Sequence, residues 1–135
     1  TCSRKRARLA YPSRMAQGSY EALARANEYF RQVLETGEHA QLVVMTLAPG
    51  EEIGEETHEG DQILFFVDGE GEAILGGESS PVRSGDYVFV PAGTLHNFVN
   101  TGGAPLRLLT TYAPPEHPHG TVHRTKAEAD AAEEH

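Results

Sequence analysis

The stretch GDYVFVPAGTLHNFVN, from Gly85 to Asn100, contains two short runs of β-branched and aromatic residues, YVFV and HNFVN. Runs of this kind are typical of β-strands. Pro91 and Gly93 lie between them and predict a tight turn, because proline fixes φ and glycine tolerates positive φ. The turn would deliver His96 to the start of the second strand.

An earlier stretch, PGEEIGEETHEGDQILFFVDG at residues 49–69, carries further polar residues of interest. Successive side chains of a strand point to opposite faces, so Glu56 and His58, two positions apart, would share one face. The next strand can bring Gln62 back to the same place. At the mouth of a β-barrel, His96 from a neighbouring strand can reach that point as well. The four side chains are therefore expected to converge.

The two stretches together resemble the paired motifs of the cupin superfamily. Residues 85–100 match the pattern G-x5-P-x-G-x2-H-x3-N at every fixed position. Residues 50–69 match G-x5-H-x-H-x3–4-E-x6-G except where its first His and its Glu would stand. The resemblance covers about residues 31–115. It implies a double-stranded β-helix, the jelly-roll barrel of cupins, with a metal centre inside it.

The two departures change the metal ligands that the resemblance implies. Where the usual cupin site has three histidines and one glutamate, Glu56 replaces a histidine and Gln62 replaces the glutamate. With His58 and His96 they supply two imidazoles, one carboxylate and one amide oxygen. This set suits Zn, Mn, Fe, Ni or Co, with positions left open for water or substrate. We expect one divalent ion here, whose identity the residues do not decide.

Other interpretations of the quartet stay open. Two histidines and one carboxylate also compose the facial triad of Fe(II) dioxygenases. One Gln, one Glu and two His hold zinc in type I phosphomannose isomerases, which are cupin relatives. The histidine replaced by Glu56 also fits a barrel that has lost its metal and only binds a ligand. Gln62 fits a hydrogen bond to a metal-bound water as well as direct ligation.

The remaining sequence predicts an all-β fold with a short N-terminal helix. Short β-type runs recur between Gly, Pro and Asn breaks, at roughly 8–12-residue spacing. Residues 1–14 form a basic extension that is either disordered or foreign to the fold. A helical segment capped by Ser19 is expected within 15–30, the barrel at 31–115, and an arm followed by a disordered tail at 116–135.

The stretch PEHPHGTVHRTKAE, at residues 115–128, is rich in histidine. Its layout resembles that of short bacterial cupins described as mannose-6-phosphate-isomerase-like. An arm that folds back to the barrel mouth, or onto a dimer partner, would let His117 or His123 act catalytically with Glu56, by proton transfer near neutral pH. An exposed arm whose histidines contact only solvent fits the sequence equally well.

Composition limits the partners of the chain. The formal net charge of −9 over 135 residues disfavours nucleic acid. The apolar runs are too short for a membrane span or a signal peptide, which predicts a soluble protein without a membrane partner. Cys2 is the single cysteine, so no disulfide framework is expected and a cytoplasmic location is predicted.

The expected function is that of a metal-dependent enzyme. Leu64, Phe66 and Phe98 would point inward and line a mostly apolar cavity for a small ligand, with the metal at its floor. This arrangement favours isomerase or lyase proton transfer on a small carbonyl- or sugar-like metabolite. A non-catalytic ligand-binding cupin and an Fe(II) dioxygenase are the alternatives. The apolar outer face of residues 63–67 predicts a homodimer.

Overall fold

A computed structural model describes residues 15–133, so the basic stretch 1–14 lies outside the described residues. No helix within 15–133 combines the length and the apolar character needed to cross a membrane. The helices of this part are α1 (Tyr20–Ala26) and α2 (Lys126–Glu133). Its strands are β1 (Arg31–Thr36), β2 (Gln41–Leu47), β3 (Asp61–Asp68), β4 (Glu70–Leu75), β5 (Glu78–Arg83), β6 (Tyr87–Val90), β7 (His96–Asn100), β8 (Leu106–Ala113) and β9 (Val122–His123).

The strands form two antiparallel sheets that enclose one core. The larger sheet has the order β6-β3-β8-β2-β1-β9, and the smaller has the order β5-β4-β7. One continuous apolar cluster takes Val43 and Leu64 from the larger sheet, and Ala73 and Phe98 from the smaller. The predicted all-β barrel with a short helix near the N-terminus is therefore confirmed.

Strand β3 shows the alternation that fixes which side chains enter the barrel. Gln62, Leu64 and Phe66 are buried, while Ile63 and Phe65 between them are only half-buried. Period-two burial of this kind is expected where one face of a sheet covers a core. The inward positions predicted for Leu64 and Phe66 are confirmed, and Gln62 shares their face.

Helix α1 covers part of the outer face of the larger sheet. The Ser19 side chain caps the helix by accepting a hydrogen bond from Ala22 N at 3.1 Å. Ala24 is buried against Val67 and Leu109 on the sheet. The outer face that suggested a dimer is thus covered in part by the chain's own helix, and the homodimer stays a prediction.

The C-terminal region is more ordered than its charge suggests. The expectation of a disordered tail is wrong for residues 126–133, which form α2. Alanine-rich sequence favours a helix, and the Thr125 hydroxyl accepts a hydrogen bond from Glu128 N at 3.1 Å. Ala129 is buried in the barrel core, a contact that sequence periodicity does not reveal. Strand β9 connects the arm to the larger sheet by pairing with β1.

Candidate metal centre

The turn before β7 presents His96 to the barrel interior. Gly93 has φ +80°, and Thr94 N donates to Pro91 O at 3.2 Å, so the predicted tight turn is present. Nδ1 of His96 lies 2.8 Å from Thr94 O, which can only accept a hydrogen bond. Nδ1 therefore carries the proton. Nε2, which is buried and has no partner, keeps its lone pair in the neutral ring.

Backbone hydrogen bonds hold Glu56 beside His96. The two residues form an isolated antiparallel bridge, with both N–H to O distances at 3.0 Å. His58 is fixed in a similar way, because its carbonyl accepts from Gly93 N at 2.9 Å. Glu56 and His58 lie in the connection between β2 and β3, not in a regular strand. Glu56, His58 and His96 thus converge because this connection bonds to the second motif.

Glu56, His58 and His96 form a compact cluster. One ligand atom from each lies within 4.8 Å of the others, so the three can hold a metal ion together. The two imidazole ring centres are 5.0 Å apart. Nε2 of His58 is 3.3 Å from Glu56 Oε1 without hydrogen-bond geometry, and its Nδ1 is 3.3 Å from Glu116 Oε2. Each imidazole therefore directs Nδ1 to an oxygen and Nε2 to the interior, as histidine ligands commonly do.

The amide of Gln62 lies on the interior face of β3 with its oxygen unpaired. Its Nε2 donates to Thr110 Oγ1 at 3.0 Å, and that hydroxyl donates in turn to Ile63 O at 3.0 Å. The hydroxyl of Thr110 already donates its single proton to Ile63 O, so toward Gln62 it can only accept a hydrogen bond. This fixes the amide with Oε1 buried and without a partner. Gln62 pairs in register with Tyr112, whose ring lies 5.5 Å from that of His58.

Opposite effects set the protonation of the cluster. Burial by itself would raise the pKa of Glu56, but the His58 imidazole, aided by Arg31 and His96, holds that pKa below its usual value. Burial would lower the pKa of His58, but Glu56 and Glu116 outweigh it and raise that pKa. The carboxylate of Glu56 therefore stays ionised and favours a positive charge beside it, either a proton on His58 or a metal ion.

The arm brings two of its histidines to the interior. The ring of His117 lies 5.2 Å from that of Tyr112, and its Nε2 is buried without a partner. His123, on β9, has Nδ1 3.1 Å from Nη1 of Arg31. His119 instead contacts Thr36, through Nδ1 and Oγ1 at 2.9 Å.

Two residues of the site were not predicted from the sequence. Arg31 starts β1 and is only 1% exposed, and Glu116 reaches His58 from the arm. The one signal for Arg31 was its alternation with Val33, which would put a charge on the buried face of a strand. Glu116 carried no local signal, since its contact depends on where the arm runs.

Comparison with known proteins identifies the family. The cupin domain family matches residues 43–112. The chain belongs to the cupin family. This confirms the predicted superfamily and double-stranded β-helix, whereas the mannose-6-phosphate-isomerase-like subtype stays a prediction.

Several proteins are similar to this cupin. The uncharacterized protein YrkC of Bacillus subtilis is 46% identical over 115 residues, 80% of this chain and 62% of YrkC. An oxalate-binding protein of Thermotoga maritima is 36% identical over 66 residues, 48% of this chain and 54% of that protein. The cupin thus spans less than two thirds of either curated relative. The crystal structure of BH2720 from Bacillus halodurans has a TM-score of 0.86 and 42% identity, covering 87% of this chain and 95% of that one.

The metal-free cupin is expected to lose stability in mild acid through His117. Burial first, and then the charge of Arg31, lower the pKa of His117 from 6.5 to about 3. Below pH 6.5 the unfolded chain therefore binds a proton on His117, whereas the folded chain does not bind it until the pH approaches 3. The stability contributed by the neutral imidazole is present above pH 6.5 and is lost as pH falls toward 3. One proton limits the slope to about 1.4 kcal/mol per pH unit.

Urea unfolding of metal-free protein between pH 7 and pH 5 measures this slope. His117→Gln is expected to flatten it, and His39→Ala, which removes an imidazole with an 89% exposed side chain, should leave it unchanged. An equal slope in His117→Gln and the native protein would contradict the assignment.

Proposed function

We propose that this cupin binds one divalent metal ion through Glu56, His58, Gln62 and His96, and catalyses isomerase- or lyase-type proton transfer on a small carbonyl-bearing metabolite. The supporting observation is that Nε2 of both histidines and Oε1 of the glutamine are buried without hydrogen-bond partners. Folded proteins rarely leave buried polar atoms unsatisfied, because the lost hydration is not replaced. Three such atoms in a barrel that also holds the Glu56 carboxylate suit a cation.

The donor set fits a first-row divalent ion. Imidazole and carboxylate ligands suit Zn, Mn, Fe and Ni, and four protein ligands leave room for a water or a substrate oxygen. The oxygens beside each Nδ1 hold both rings in orientation, as Thr94 does for His96. When bound, the metal would polarise a carbonyl oxygen and acidify the neighbouring C–H group.

The residues of the chain would then move the proton. Glu56 and His117 are the groups that we assign to proton transfer, since both are ionisable and face the interior around Tyr112 and His58. His117 is neutral at neutral pH, because burial first and then the charge of Arg31 lower its pKa to about 3, so its ring offers one N–H donor and one lone pair. The ring of Phe98 packs beside His96, and that of Phe66 beside Phe98, so apolar side chains help to exclude water from this side of the cluster.

His123 is better placed to position than to catalyse. Its Nδ1 lies 3.1 Å from the Arg31 guanidinium. A hydrogen bond from Nη1 to this nitrogen would orient Arg31, with the imidazole as acceptor. We therefore assign His123 a positioning role in the proposed function.

A non-catalytic binding protein is the second candidate. It is favoured by the similarity to an oxalate-binding protein, which is 36% identical over 66 residues. The cluster residues would then bind a metal and a small ligand without turnover. This candidate shares the metal centre with the first and differs only in the absence of proton exchange.

Metal analysis followed by deuterium exchange tests the proposal. Protein purified without added metal is analysed for elements, reconstituted with Mn²⁺ or Zn²⁺, and incubated with pyruvate in D2O while NMR follows exchange of the methyl protons. We expect one ion per chain and metal-dependent exchange that falls at least 10-fold in Glu56→Gln, as is usual when a general base is removed.

The other outcomes separate the alternatives. Iron with oxygen consumption would favour a dioxygenase, while metal and ligand binding without exchange would favour the non-catalytic candidate. No metal in purified or reconstituted protein would rule out the isomerase or lyase and the dioxygenase, and would favour a ligand-binding barrel without metal. His39→Ala serves as the control, since that side chain is exposed on the surface.

A further inference from the structure

Arg31 is a buried charge on the interior side of β1. It is 1% exposed and pairs in register with Met45, a residue of the barrel core. Val33, two positions on, belongs to the same core. The guanidinium group stays protonated at every pH at which proteins fold, so this charge cannot be relieved by losing a proton.

The protein supplies Arg31 with few partners. Nη1 lies 3.1 Å from Nδ1 of His123, and Nε is buried without a partner. The guanidinium carbon lies 5.4 Å from the ring centre of Phe30. Within residues 15–133, none of the ion pairs with a carboxylate involves Arg31. A buried guanidinium without a paired anion is costly, and proteins normally pair such charges.

The second unsatisfied group is His117 on the arm. Its Nε2 is buried without a partner, and its ring lies 5.2 Å from Tyr112. The same tyrosine ring lies 5.5 Å from His58 in the metal cluster. Tyr112 thus stands between the cluster and the arm, and the charge of Arg31 acts on both Glu56 and His117.

We propose that Arg31 and His117 form an anion-binding subsite beside the Glu56–His58–His96 cluster, and that the ligand of this cupin is a small carboxylate. The inference rests on the proposed metal site and names the class of its ligand. The ligand's carboxylate would accept hydrogen bonds from the Arg31 fork and from an N–H of His117, while a second oxygen function meets the metal. Arginine is suited to this role because its paired N–H groups match the two oxygens of a carboxylate.

Charge favours a carboxylate over a phosphate ester. Among the arginines of residues 15–133, Arg31 is the one buried guanidinium that acts on the interior groups. Arg25 and Arg107 instead pair with carboxylates at the outer surface. Lys126 pairs with Asp130 at 2.6 Å. A phosphate dianion commonly requires several cations or a nest of backbone N–H groups. A divalent ion and Arg31 carry three positive charges against the two carboxylates of Glu56 and Glu116, which leaves the site positive and attractive to a carboxylate.

A purely structural role for Arg31 predicts a different experimental result. If its charge only balances Glu56 at longer range, replacing it would change stability without changing the affinity for carboxylates. The test must therefore measure metal content, folding and carboxylate binding separately in the same protein.

Calorimetric titration of Mn²⁺-loaded protein with oxalate, malonate and pyruvate, and with the uncharged malonamide, makes this separation. We expect at least one carboxylate to bind, and both Arg31→Gln and His117→Gln to weaken its binding about 10-fold or more, the size of effect typical of charge-assisted hydrogen bonds. Manganese content and the urea midpoint are recorded for each variant. Arg83→Gln is the matched control, because residue 83 is exposed on β5.

Each outcome bears on the inference. Unchanged carboxylate affinity in a folded, manganese-loaded Arg31→Gln overturns it, as does native protein that binds none of the three carboxylates. If Arg31→Gln does not fold, the same criterion is applied to His117→Gln, and unchanged carboxylate affinity in that folded, manganese-loaded variant overturns the inference. If the native protein binds no manganese, the proposed function fails, and arginine-dependent binding of malonate by the metal-free protein still supports the subsite.

Discussion

His96→Ala is expected to weaken divalent metal binding by more than about 100-fold, beyond the range seen when only an outer hydrogen-bond partner is lost. The variant removes a buried Nε2 whose lone pair is fixed by the bond from Nδ1 to Thr94 O. It leaves the bridge to Glu56 intact, because that bridge uses backbone atoms. Titration with Mn²⁺ or Zn²⁺ measures the affinity, and circular dichroism checks the fold.

A surface histidine provides the comparison for this experiment. His39→Ala removes the same chemical group from an 89% exposed side chain, so its metal affinity should equal that of the native protein. If His96→Ala binds one ion as tightly as His39→Ala does, the ion sits elsewhere and the proposed centre is wrong. Loss of binding in both variants would point to weak surface chelation.

The second motif could be predicted from sequence because its structure is local. Pro91, Gly93 and His96 lie within one turn and the strand that follows it, so nearby residues determine where the imidazole points. The period-two pattern of β3 likewise places Leu64 and Phe66 inside without reference to other strands. Sheet alternation and turn chemistry were sufficient at these positions.

Other parts of the site depend on contacts between distant segments. Glu56 and His58 face His96 because backbone hydrogen bonds join the connection between β2 and β3 to the turn before β7 and to the first residue of β7, although the sequence suggested a shared strand. Glu116 meets His58 only because the arm crosses the barrel mouth. Helix α2 is ordered by burying Ala129 in the core, which composition alone could not show. Tertiary packing overrode local expectation in each case.

Gly60→Ala is expected to destabilise the protein by about 1–3 kcal/mol, the usual cost of forcing extra atoms into a packed site. Gly60 is not required for its backbone conformation, since its φ is not in the positive range that favours glycine. Its necessity is steric, since an added Cβ would lie 2.6 Å from Cδ of Pro114 and would also overlap the carbonyl oxygen of Ala113. Urea unfolding measures the loss.

The same substitution, Gly60→Ala, is also expected to weaken metal binding. Ala113 and Pro114 are where β8 passes into the arm, and a shift there would move Glu116 away from Nδ1 of His58, now 3.3 Å from it. Because that carboxylate orients the imidazole, metal affinity is expected to fall about 10-fold. Gly103→Ala is the control, since a Cβ there meets no atom within 4 Å and φ is not in the positive range. Equal stability and equal metal affinity in the two variants would show that the junction at Gly60 does not position the arm.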